Sequence, residues 1–130
     1  MLMILLASPD KDSLLKLESV LAEHDNVCLL RAASVEKALH LASENAVDLV
    51  IADERLGDKT GLDLAAGLLS VNPMISCATV SGLTPEKFHE TSEGLGIMAQ
   101  LPIHPRKEHA ESLLHRLRQI KNLMIGVNDP

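Results

Sequence analysis

Five short apolar runs, each followed by a stretch of helical periodicity, constrain this chain more than any other feature. Met1–Ala7 is apolar throughout, as expected of a strand buried on both faces. Asp12 to about Glu23 then spaces Leu14, Leu17, Val20 and Leu21 along one helix face. Val27–Ala33 reads as a second strand, and Ser34 caps a helix with Val35, Ala38, Leu39 and Ala42 turned inward. Asp48–Asp53 is a third strand, followed by a loop from Leu56 to Gly61. A third helix from about Leu62 places Leu62, Ala65, Leu68 and Leu69 on one face, and Met74–Val80 forms a fourth strand. Thr84-Pro85-Glu86 opens a short helix by cap, proline and first-turn acid, with mainly Phe88 to offer a core. Gly96–Leu101 is a weaker fifth strand, and Pro105 leads into a last helix that buries Ala110, Leu113, Leu114, Leu117 and Ile120.

Strands alternating with helices through short loops specify a doubly wound parallel sheet with helices on both faces. A chain of 130 residues holds one such domain. The domain is placed at 1–124, with 125–130 a tail or linker remnant. In this architecture function collects beyond the carboxyl ends of the strands. The positions to inspect therefore follow Ala7, Ala33, Asp53, Val80 and Leu101.

Composition removes several function classes. Phe88 is the lone aromatic residue, which leaves no platform for stacking single-stranded nucleic acid. A formal charge of -6 argues against a phosphate-tracking surface, so no direct nucleic-acid partner is expected. Cys28 and Cys77 are too few for a disulfide framework and suit a reducing compartment. The apolar start reaches Asp10 too soon to span a bilayer and has no basic segment before it. The expectation is a soluble, cytoplasmic protein without membrane contact. The first strand is not followed by a glycine-rich phosphate loop, and there is no Gly-x-Ser-x-Gly elbow. His24, His40, His89, His109 and His115 show no metal-ligand spacing on one helix face.

Asp53 ends an apolar strand, where a carboxylate must face the loop crevice or be neutralised. Ser81-Gly82 follows the fourth strand, a hydroxyl beside a residue that leaves room for another group. Asp48-Leu49-Val50-Ile51-Ala52-Asp53, then Leu56 and Gly61, resembles the phosphoacceptor strand and loop of response-regulator receiver domains of two-component signalling. The resemblance runs from Met3 to about Ile120. It implies the flavodoxin-like (βα)5 fold typified by the chemotaxis receiver, with strand order 2-1-3-4-5. It also implies Asp53 as phosphoacceptor and Ser81 as the switch hydroxyl. The partners implied are a histidine kinase or phosphotransfer protein and an output domain or partner protein. Such a chain is a signalling module and not an enzyme.

Three departures weaken the phosphorylation chemistry. Where the family carries an acidic pair for Mg²⁺, this chain has Ser8 and Pro9, with Asp10 one step further on. Where the family has Lys-Pro, the segment is Leu101-Pro102-Ile103-His104-Pro105, so His104 or Ile103 replaces the lysine. The family's aromatic switch residue is missing near Gln100 and Leu101. Phosphoryl transfer depends on positioning and on neutralising the transferred oxygens. Each close unit charge is worth roughly 4 kcal/mol at about 4 Å in an effective dielectric near ~20, so these losses decide function.

Weak or absent Mg²⁺ binding is therefore expected, with Asp53, the Arg55 carbonyl and Asp10 as the remaining ligands. Two internal cations are candidates: Arg55 folded back over Asp53, and His104 at mildly acidic pH. Ser8-Pro9-Asp10-Lys11 repeats the pattern of Thr84-Pro85-Glu86-Lys87, so it reads as a helix start with Asp10 at the helix N-terminus. Two readings follow: a receiver with impaired Mg²⁺-dependent phosphorylation at Asp53, and a phosphorylation-independent pseudo-receiver that works as an interaction module. From another class comes a small flavodoxin-like cofactor-binding protein, against which the scarcity of aromatics counts. Leu113, Leu117, Ile120 and Met124 form a stripe along the last helix and a candidate homodimer surface.

Overall fold

Strand β1 (Leu2–Ala7) lies between β2 (Val27–Ala32) and β3 (Leu49–Ala52), with β4 (Ser76–Val80) and β5 (Ala99–Leu101) beyond β3. The computed structural model describes residues 1–128, with side chains to residue 122. All neighbouring strands of the five-stranded sheet are parallel, in the order β2-β1-β3-β4-β5. Parallel strands need crossovers, and helices α1 (Leu15–Ala22), α2 (Val35–Glu44), α3 (Gly61–Val71) and α4 (Pro85–Thr91) supply them. The last helix, α5, runs from Lys107 to Asn128. The expected doubly wound (βα)5 architecture is the one observed.

The sheet sorts its side chains with period two. Ile4, Leu6, Leu49 and Ile51 join Leu17, Leu21, Leu113, Leu114 and Leu117 in the core under α1 and α5. Leu5, Val50 and Cys77 join Ala38, Ala42, Leu64, Ala65 and Leu68 under α2 and α3. Every residue of β3 is buried, because a central strand of a parallel sheet is covered on both faces. Small residues bring α2 and α3 close together. A Cβ on Gly67 would stand 2.9 Å from Leu39 Cδ1.

Several boundaries differ from the sequence reading. Leu69 is 41% exposed while Leu64 is buried, so the inward face of α3 is rotated from the expected one. Ile120 is 38% exposed because α5 has by then run past the sheet core, whereas Leu113 and Leu117 are packed within it. Met124 lies outside the residues whose side chains are described. Helix α5 continues to Asn128, beyond the boundary placed at 124. Strand β5 is only three residues long, and Gly94 and Gly96, both at positive φ, occupy the turn before it. The end of the sheet remote from Asp53 is tied by Asp48. It accepts the Met3 amide on Oδ2 and Lys121 Nζ on Oδ1, at 2.8 and 2.7 Å. No described helix is long and apolar enough to cross a membrane.

Candidate functional site

Strand order reverses direction about β1, so the loops after β1 and β3 leave the sheet on opposite faces and open a crevice between them. Ser8 follows β1 and Asp53 follows β3. The Asp53 amide donates to the Ala7 carbonyl at 2.8 Å and the Ser8 amide to the Ala32 carbonyl at 3.0 Å, so both residues leave the sheet in register. Gly61 lets the chain after Asp53 pass close behind it. A Cβ there would lie 2.5 Å from the Asp53 carbonyl oxygen, a backbone atom with no freedom to yield. Helix α3 then starts on a capping box in which Thr60 and Asp63 satisfy each other's backbone amides.

The Asp53 carboxylate is half-buried, and both of its oxygens accept hydrogen bonds. Ser13 Oγ donates to Oδ2 at 2.7 Å, and Ser8 Oγ stands 2.8 Å from the same oxygen. Oδ1 accepts the Glu54 amide at 2.8 Å. Ser8 Oγ is also 2.8 Å from the Asp10 carbonyl and accepts the Asp10 amide at 3.1 Å. A hydroxyl has one proton, and the carboxylate is the stronger acceptor for it. Hydrogen bonds to a charged group contribute about 1.5–3 kcal/mol each. Ser8 thus stands at one of the two positions where the receiver resemblance called for a metal-binding acid, and Ser13 adds a second hydroxyl from further along the chain.

Ser8 is consequently not a helix cap. Its hydroxyl is drawn to Asp53, and the Asp10 carboxylate accepts the Asp12 amide at 2.9 Å in a local turn. Helix α1 begins only at Leu15, without a side-chain cap, and this corrects the expected helix start at Ser8-Pro9-Asp10. Arg55 is corrected as well. It pairs with Thr60 in a two-residue hairpin that turns at Gly57, and this pairing directs it to solvent with no bond to Asp53. His104 is exposed at φ 55, in a turn ahead of Pro105. Ile103, and not His104, lies against the loop after β4, its Cγ1 3.7 Å from where a Gly82 Cβ would be.

Ser81 is buried at the end of β4, and its Oγ accepts the Leu83 amide at 3.1 Å. The loop it begins is held twice more. Glu54 Oε2 accepts the Gly82 amide at 2.7 Å. Gln100 Nε2 stands 2.8 Å from the Leu83 carbonyl and 3.3 Å from the Ser81 carbonyl. Ser13, Glu54 and the donor role of Gln100 were not read from the sequence. Asp53 did carry a signal that a neighbour must satisfy it, but no local pattern pointed to residues forty positions earlier in the chain.

Mg²⁺ needs oxygens in near-octahedral array, usually one or two carboxylates with waters. Here the oxygens of Asp53, Asp10 Oδ1 and Glu54 Oε2 are already taken by protein donors. No three His, Cys, Asp or Glu side chains converge on a metal position among the described residues. The donor set does not fit Mg²⁺.

No family model and no curated protein matches the chain. Solved structures do. A two-component response regulator from Clostridium difficile superposes with TM-score 0.81 at 20% identity, over 94% of this chain and 99% of its own. The fold is that of a response-regulator receiver domain. A CheY-like receiver domain protein from Methanospirillum hungatei gives TM-score 0.81 at 18% identity, over 94% of this chain and 98% of its own. The signal receiver domain of an HD domain-containing protein from Pseudomonas fluorescens gives 0.82 at 21%, over 96% and 92%. Within the receiver fold, Asp53 follows the third strand of the sheet and Ser81 follows the fourth.

Proposed function

We propose that this chain is a pseudo-receiver of two-component signalling, a receiver fold that works by surface contact and not by a phosphorylation cycle. It carries no catalytic role of its own. Its partners are a histidine kinase or phosphotransfer protein on one side and an output domain on the other. The Pseudomonas fluorescens neighbour, a receiver domain of an HD domain-containing protein, supports the output domain.

The observation that carries this reading is the pair of serine hydroxyls on Asp53 Oδ2. Phosphoryl transfer to a carboxylate needs cations to offset the charge on the transferred oxygens. Both hydroxyls are neutral, and no described cation contacts Asp53. The competing reading, an impaired phosphoacceptor, draws on the position of Asp53 at the crevice and of Ser81 beside it. Weak or absent Mg²⁺ binding belongs to both.

Intact-mass analysis after incubation with acetyl phosphate and Mg²⁺, and separately with a histidine kinase, tests the proposal. The wild type is expected to stay unmodified. A Ser8→Asp/Pro9→Asp/Ile103→Lys variant is expected to gain an adduct at Asp53. An Asp53-dependent adduct on the wild type replaces the pseudo-receiver with the impaired phosphoacceptor.

A further inference from the structure

Strand β2 forms one edge of the sheet and β5 the other. The two edges are built differently. Strand β5 has three residues, with Gly94 and Gly96 at positive φ before it and Pro102 directly after it, features that blunt an edge. Strand β2 runs for six residues, apolar but for Arg31, and pairs with β1 in unbroken register. It contains no proline, glycine or bulge, and Arg31 is drawn onto Glu18 of α1.

The hydrogen bonds show which backbone groups this edge leaves open. The Leu2 amide donates to the Asn26 carbonyl and the Ser8 amide to the Ala32 carbonyl, so even-numbered residues of β2 turn their backbone toward β1. Odd-numbered residues turn outward. The Val27 amide donates to the His24 carbonyl. The amides of Leu29 and Arg31 and the carbonyls of Val27 and Leu29 have no partner among the described residues.

An antiparallel copy of the same strand matches these groups. With a two-fold axis at Leu29, each Leu29 amide meets the second copy's Leu29 carbonyl, and each Arg31 amide meets the second copy's Val27 carbonyl. No outward amide is left over. Arg31 then lies diagonally across from the turn that carries Asp25, an exposed acid with no ion pair among the described residues. The two-fold axis repeats this match of opposite charges at the other end. An unrelated extended peptide could satisfy the backbone, but only the chain's own sequence supplies both charges. We propose that β2 is the docking edge for a second copy of this chain, antiparallel through Leu29, so that two sheets join into one. The contact involves neither Asp53 nor α5, so it stands whether or not Asp53 is modified.

Sedimentation velocity of the whole chain from micromolar to millimolar concentration is expected to show a dimer. Leu29→Pro removes an outward amide without touching a bond to β1, and an edge strand tolerates proline at such a position. It is expected to weaken the dimer at least about tenfold, since the two-fold axis counts the lost bond twice. Asp25→Lys sets like charges together and is expected to weaken it about threefold or more. Directly opposed residues of such a pair have Cα atoms about 5.5 Å apart, within disulfide range. Cys28→Ser/Leu29→Cys is therefore expected to cross-link on mild oxidation. Cys28→Ser/Leu30→Cys is not, because position 30 faces position 28 of the second copy. Cys28 itself is expected to react with a thiol reagent more slowly as the dimer forms. A chain that stays monomeric at millimolar concentration, as an edge kept for another protein would, overturns the proposal. So does a dimer that Leu29→Pro leaves unchanged, the result expected of an interface on α5. If Leu29→Pro does not fold, cross-linking at position 30 as readily as at position 29 overturns it.

Discussion

Glu54 Oε2 accepts the Gly82 amide at 2.7 Å and fastens the segment after β3 to the segment after β4. The acid next to Asp53 thus holds the backbone next to Ser81. A charge-assisted bond of this kind is stronger than a neutral one, and the Gln100 amide grips the same loop from β5. The loop is secured on two sides without any contribution from Asp53.

Removing that acceptor should loosen the loop. Glu54→Ala is expected to speed hydrogen exchange at the Gly82 amide by about tenfold or more, the loss of roughly 1.5 kcal/mol or more of local protection. Glu54→Gln keeps an oxygen acceptor and should show a smaller change. NMR exchange rates at Gly82 and Leu83 decide it, and an unchanged rate in the alanine variant would remove Glu54 as the fastener.

Magnesium should distinguish the serine clamp from a metal site. Calorimetric titration of the wild type and of Asp53→Asn is expected to give no resolvable heat. Ser8→Asp/Pro9→Asp should bind measurably, because it restores carboxylates beside Asp53. Stability of the wild type should be indifferent to chelators. Tight, Asp53-dependent binding by the wild type would contradict the donor set described above.

How far the site was legible follows from the range of each interaction. Ser34 and Thr84 cap their helices as their local patterns predict, because a cap bonds an amide three residues away. Asp53 stood out because an acid closing an apolar strand is a local anomaly. Ser8-Pro9-Asp10 carries the same pattern as Thr84-Pro85-Glu86 but behaves differently, since its hydroxyl has a partner 45 residues away that outbids the helix. The contribution of Gln100 was hidden for the same reason: its acceptors lie 17 and 19 residues earlier. The alternation of strands and helices was readable from periodicity, whereas the strand order came with the receiver resemblance. Helix rotation was not readable, and Leu69 and Ile120 ended on the outside.

Two glycines should respond differently to alanine. At Gly61 the new methyl meets the Asp53 carbonyl oxygen at 2.5 Å, and backbone must move. A loss of about 2–3 kcal/mol is expected from denaturant unfolding, in the range for overpacking. At Gly67 the methyl meets the flexible end of Leu39 at 2.9 Å. There the gain in helix propensity of about 1 kcal/mol offsets the crowding, and stability should change by less than about 1 kcal/mol. Equal losses at both sites would refute the distinction.

The cysteines should differ in reactivity. Burial pushes the Cys77 thiol up to about 12, whereas Cys28 is half-buried on an edge strand. A thiol reagent at mildly alkaline pH is expected to modify Cys28 in the folded chain and both residues in denaturant. The raised value also carries a stability consequence. Cys77 contributes stability fully below the pH at which the unfolded thiol ionises, and that contribution declines as pH rises from about 9 toward 12. Cys77→Ala should flatten that decline relative to the wild type, and an identical alkaline slope in both would count against it.

The Asp48–Lys121 ion pair joins residues 73 positions apart, across β3 and the far part of α5. Contacts of such long sequence separation are entropically expensive to close early, so this one is expected to form after the folding barrier. Its influence is therefore on how long the folded molecule lasts and not on how fast it forms. Cutting it with Lys121→Met should leave the refolding arm of a chevron in place and raise the unfolding rate, so that the folded molecule is lost sooner.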